Sequence, residues 1–181
     1  MSRDKKLAGE WAVLHSRSDG YINEYELDYD KLAVLHLDTM PIENWIAVLM
    51  ANRKGTFNEV TQTRMQKFIS LFGINISNYD IIEGWRADDA FFSFVEDFLN
   101  VGLSLEKMQE AMKFGDLGIQ ICIKSEIAFN TTYLKYKAHY PAEASFYYDL
   151  AINRDRAARK EYWELKNKTR GTLIFDLVGR D

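Results

Sequence analysis

Residues 117–129, LGIQICIKSEIAF, alternate along the chain as a strand does. Ile119, Ile121 and Ile123 fall on one face, and Gln120, Cys122 and Lys124 on the other. YINEYEL at 21–27 alternates too, and predicts a strand that sets Tyr25 and Leu27 against Glu24 and Glu26. LAVLHL at 32–37 reads as a more buried strand, with His36 as a satisfied core histidine. YDIIEG at 79–84 is a further strand, TYLKY at 132–136 an edge strand, and TLIFDL near the C-terminus a closing strand.

Other segments follow the helical period. Residues 4–14 place Leu7, Trp11 and Leu14 on one side, and residues 42–53 do so with Trp45, Val48 and Leu49. Residues 60–72 repeat the period through Met65, Phe68, Ile69 and Phe72, with Gly73 as the stop. Asp88 or Asp89 caps a helix running to about residue 100, and Ser104 caps the next. Residues 142–170 form a long helix, and Pro41 and Pro141 each read as a helix start. Helices and strands interleave without a regular strand–helix–strand rhythm. The expected fold is therefore α+β with a mixed, mostly antiparallel sheet, in one domain over residues 1–181.

Composition narrows the field of functions. A hydrophobic content of 47% and an aromatic content of 14% fit a folded globular chain. No apolar run approaches the ~20 residues of a membrane span, and the charged N-terminus does not resemble a secretory signal. The single cysteine, Cys122, allows no internal disulfide and favours a reducing cytoplasm. A net charge of −4 gives no general attraction to nucleic acid or to an anionic membrane. Residues 133–170 run against that average, with 9 basic and 5 acidic side chains.

The sequence holds neither a phosphate loop nor a glycine-rich dinucleotide fingerprint. His15, His36 and His139 share no metal-ligand spacing with one another or with Cys122. Three constellations can carry chemistry. In GWRADD at 84–89, Arg86 is able to take a phosphate or carboxylate through two parallel hydrogen bonds, beside Asp88. Helix capping and a local ion pair explain the same residues without function. Gln120 has an amide able to accept from one sugar hydroxyl and donate to another, or else to bond backbone at a sheet edge. Arg156, Arg159, Trp163, Lys166 and Arg170 follow helical spacing as a basic stripe holding an aromatic. That stripe is either a partner-binding face or an ordinary solvated one.

Several blocks carry a family resemblance, in the family's order: YELD at 25–28, LAVLHLD at 32–38, NWIAVLMANR at 44–53, YDIIEGWRADDAFFSF at 79–94 and LGIQICIKSEIAF at 117–129. They resemble a bacterial family catalogued as domain of unknown function 3990, a remote relative of the ADP-ribosyltransferases. RADD followed by the glutamine-bearing strand is the most telling pair. The resemblance implies an ADP-ribosyltransferase-type fold holding NAD, as a substrate, between antiparallel sheets, with no metal. It implies transfer of ADP-ribose to a macromolecule, and a small operon-encoded partner of the toxin–antitoxin or phage-related kind. Gln120 matches the Glu or Gln that opens a late strand and serves the catalytic site; Arg86 and Asp88 are read as cofactor-binding.

Two blocks of that family, a His-Gly-Ser-like one and a Gly-Phe-Tyr-like one that holds nicotinamide, occur nowhere in the 181 residues. Met1 falls where the second block should have ended. A late start codon, a truncated relative or a deliberate fragment would each account for it. Without nicotinamide positioning, an orientation term that can reach ~7–11 kcal/mol is forfeited, so negligible transfer is expected from this chain alone. The alternative is an interaction module without chemistry, using the basic helix or a sheet edge left by the missing strand, to which a second copy could pair.

Overall fold

The computed structural model describes residues 1–52, 57–85, 89–166 and 170–179. Among them the chain forms seven α-helices and two small sheets, an α+β architecture. It divides into two compact units. The first comprises Met1–His36, Ile76–Gly84 and Ile119–Arg159; the second comprises Leu37–Asn75, Trp85–Gly118 and Lys160–Asp181.

In the first unit, α1 (Lys5–Leu14) opens on Asp4, whose carboxylate accepts from the Lys6 and Leu7 amides. It buries Leu7, Gly9, Glu10 and Val13 and leaves Trp11 exposed, so the buried stripe is rotated from the one expected. Gly9 is required by proximity: a Cβ there would meet the Tyr147 ring at 2.4 Å. Tyr147 belongs to α6 (Ala144–Lys166), and the two helices are also tied by the buried Glu10 carboxylate, 2.7 Å from Arg154 Nε.

β1 (Gly20–Leu27) pairs antiparallel with β5 (Leu134–Ala142) as a two-stranded sheet. Its inward residue is Ile22, packed with Val13 and Ala142, and Tyr25 is exposed. Pro141 lies within β5 opposite Tyr21 and starts no helix. A two-stranded sheet tolerates it because each strand has an unpaired edge where a missing N–H breaks no ladder.

The second sheet has the order β2-β3-β4, with β2 (Val34–His36) parallel to β3 (Ile81–Trp85), and β4 (Ile119–Ile123) beside β3. Ile81, Ile121 and Ala128 form a core on one of its faces, with Tyr29, Val34 and Ile123 packed against them.

The second unit is mostly helical, with α2 (Ile42–Asn52), α3 (Glu59–Phe72), α4 (Asp89–Leu99), α5 (Leu105–Ala111) and α7 (Ile174–Val178). Phe68 and Phe98 are fully buried and meet edge to face at 5.7 Å. Asn58 and Ser104 cap α3 and α5 through their side chains. Gly73 ends α3 with an ordinary negative φ of −65°; glycine is needed because a Cβ would meet the Ile69 carbonyl oxygen at 2.4 Å. TLIFDL is not a strand. The Asp176 carboxylate accepts the Leu173 amide at 2.9 Å and opens the short helix α7, burying Ile174. A local cap outweighs strand-like composition where no neighbouring strand offers a ladder.

Candidate functional site

The β2-β3-β4 sheet presents two different polar groups on its two faces. Side chains alternate along each strand, so Glu83 shares a face with Ile81. Ile121 packs against Ile81 on that same face, which turns Gln120 to the opposite one. Residues 1–2 extend the sheet beyond β4. Ser2 bridges Gln120 in the antiparallel sense, the Ile121 amide donates to the Met1 carbonyl at 2.9 Å, and the Met1 nitrogen donates to the Ile121 carbonyl at 2.6 Å. Arg3, one residue on, therefore returns to the Glu83 face.

Gln120 is half-buried, and its Nε2 donates to Ser2 Oγ at 3.5 Å, a long contact. Cys122, on the same strand face, is exposed. The expected alternation of β4 is present where Ile121 and Ile123 pack in the core and Cys122 between them is exposed.

Glu83 is the feature that sequence reading passed over. Its side chain is 6% exposed, within a strand of apolar residues. Arg3 donates from Nη2 to its Oε1 at 2.6 Å, and the Tyr29 hydroxyl donates to the same oxygen at 2.6 Å. His36 Nδ1 lies 3.2 Å from Oε2. His36 is thus an exposed residue at the sheet edge, 53% accessible in its side chain, and not a core histidine. The parallel register His36↔Glu83 sets the two side by side. Burial and the bond into Glu83 push the Tyr29 phenol pKa above its ordinary value, while Arg3 works against them. A carboxylate so enclosed requires several donors, and these four side chains form a satisfied network that fastens residue 3 to β3.

Arg86 and Asp88 lie outside the described residues. Along α6, Arg156 and Arg159 are exposed, with Arg159 Nε 2.8 Å from Asp155. Trp163 is 61% exposed, and Lys166 is ion-paired with Asp97 at 2.8 Å. Asp97 also accepts from the Tyr162 hydroxyl; burial first, and then this bond, push that phenol far up. Two positions of the basic stripe therefore have carboxylate partners. Among the described residues no group of three or more His, Cys, Asp or Glu could hold a metal. No helix among them is long and apolar enough to cross a membrane.

Neither the curated proteins nor the solved structures contain a match to this chain. One family does match, described as a protein of unknown function (DUF3990), over residues 1–136. That span holds β1 to β4, Glu83 and Gln120, and ends within β5. With three quarters of its length matched, the chain belongs to the DUF3990 family.

Proposed function

We propose that β4 is the ribose-facing strand of an ADP-ribosyltransferase-like site, with NAD as substrate and a macromolecule as acceptor. The observation that carries this reading is the setting of Gln120, half-buried at the start of β4 on the face away from the Ile81–Ile121 core, with its amide already reaching a hydroxyl. An amide so disposed accepts from one sugar hydroxyl and donates to another. Being neutral, it supplies no carboxylate beside a developing oxocarbenium ion. Its role is to position the ribose. Arg86 and Asp88 join it in this reading as contacts to phosphate and ribose. Binding of NAD is the activity proposed for these residues, with positioning of the ribose as the part Gln120 plays. A small protein partner of the toxin–antitoxin kind, in the cytoplasm, belongs to the same reading.

Isothermal calorimetry with NAD tests it. Saturable heat with the unchanged chain, lost in Gln120→Ala, supports the assignment. No heat from the unchanged chain, or equal binding by the variant, overturns it.

A second reading, an interaction module on α6, draws on the 61% exposure of Trp163, with Lys166 Nζ 5.6 Å from its ring centre. Exposed tryptophans are unusually effective anchors for partners. Capture of a partner lost in Trp163→Ala, with no response to NAD, would favour it over the first.

A further inference from the structure

Residues 1–4 meet the β2-β3-β4 sheet in two unequal halves. Arg3 is held by the buried Glu83 carboxylate at 2.6 Å, and its Nη2 also reaches the Tyr29 hydroxyl at 3.4 Å. Asp4 accepts from the Lys6 and Leu7 amides and so belongs to the start of α1. A buried carboxylate that loses a donor and a helix that loses its cap both cost stability. Residues 3 and 4 are therefore fixed.

Residues 1 and 2 are held more lightly. Among the described residues, the backbone bonds from this pair to β4 are the two at Met1, with the carbonyl and the amide of Ile121. The Ser2–Gln120 bridge stands outside any longer ladder. Met1 is 49% exposed, so little apolar surface anchors this end. Segments with few buried apolar contacts and few backbone bonds open at low free-energy cost. The change from fixed to light falls between Ser2 and Arg3.

Ser2 stands on the ground that a ligand of Gln120 needs. Residues opposite one another in an antiparallel pair point to one face, so Ser2 shares the face of Gln120. Its Oγ accepts from Gln120 Nε2 at 3.5 Å and from the Asp4 amide at 3.0 Å. A hydroxyl accepting from this amide is the contact that a ribose would make. A sugar that accepts from Nε2 and donates to Oε1 spans the amide and displaces Ser2 from it. Asp4 is exposed, so its amide turns to water when Ser2 leaves. We infer, on the reading of Gln120 as a ribose contact, that residues 1–2 form a strap over β4. The strap pivots at Arg3 and lifts as the sugar of a nucleotide binds. Glu83 grips the pivot equally with the strap up or down, so that clasp does not bias the equilibrium. The strap does bias it: apparent affinity falls with the fraction of chains in which Ser2 covers the amide.

Calorimetry and amide hydrogen exchange together test it. Ser2→Ala, which removes the hydroxyl alone, should bind NAD at least about threefold more tightly than the unchanged chain. Saturating NAD should speed exchange of the Ile121 amide about tenfold or more, because that amide donates to the Met1 carbonyl only while the strap is down. The Lys6 and Leu7 amides, capped by Asp4, should keep their rates. No NAD binding by either chain overturns the ribose reading and the strap with it. Three results would overturn the strap alone and leave the ribose reading in place: equal or weaker binding by Ser2→Ala, an Ile121 amide unmoved or slowed by NAD, or faster exchange at Lys6 and Leu7 as well.

Discussion

Glu83 and Gln120 stand on neighbouring strands of one small sheet and face opposite ways. The Glu83 side chain is 6% exposed and draws donors from residues 3, 29 and 36. The Gln120 side chain is half-buried and meets Ser2 at a long 3.5 Å. Charge explains the contrast. A carboxylate leaves water only when several donors replace it, so the Glu83 face must be complete when the chain folds. A neutral amide is far cheaper to hold at long range, and can exchange a protein hydroxyl for that of a ligand. The Glu83 face is fixed on folding, and the Gln120 face is the one proposed to take a ligand.

Substitutions should therefore separate the faces. Ile81→Ala, fully buried two residues from Glu83 on the same face of β3, should cost about 2–5 kcal/mol, read as a lower urea midpoint with an unchanged slope. Glu83→Ala comes next at about 1–3 kcal/mol, held down by the exposure of Arg3 and His36. NAD binding by the folded Glu83 variant should be unchanged; a joint loss would mean that the two faces act as one site.

Tyr29→Phe should cost about 0.5–1.5 kcal/mol. It should also alter the alkaline limb of stability. The folded phenol has a raised pKa, so its contribution is complete below the ordinary tyrosine value near ~10 and is lost as pH rises through the folded value. In urea melts against pH, the unchanged chain should weaken over that range more than Tyr29→Phe. Identical limbs would dissolve the assigned network. Gln120→Ala should have the smallest effect on stability, within about 0.5 kcal/mol, and a larger loss would place Gln120 with the structural groups.

The legible parts of the molecule were those that local chemistry decides. Asn58 and Ser104 cap helices through their own side chains, and Ile121 and Ile123 of β4 alternate with Cys122 as written. Long-range convergence was not legible. YDIIEG reads as a plain strand, yet Glu83 is matched by residues 80, 54 and 47 positions away. The available signal was its cost: an acidic residue in an apolar strand implies donors from elsewhere. His36 was misread for the same reason, because its partner lies across a parallel register. TLIFDL misled because β-branched and aromatic composition reports a liking for sheet neighbours, and Asp176 caps a helix there instead. Gln120 was singled out because a polar residue starting an apolar strand is conspicuous in any fold, whereas Arg86 and Asp88 lie outside the described residues.

The most direct measurement is the side-chain amide resonance of Gln120 in a nitrogen–proton correlation spectrum during titration with NAD. A saturable shift of that signal, while the Tyr29 and His36 resonances stay in place, is the expected result. A Gln120 amide indifferent to NAD while other residues respond, or a spectrum unmoved at about millimolar NAD, would contradict the assignment of this face to the ribose.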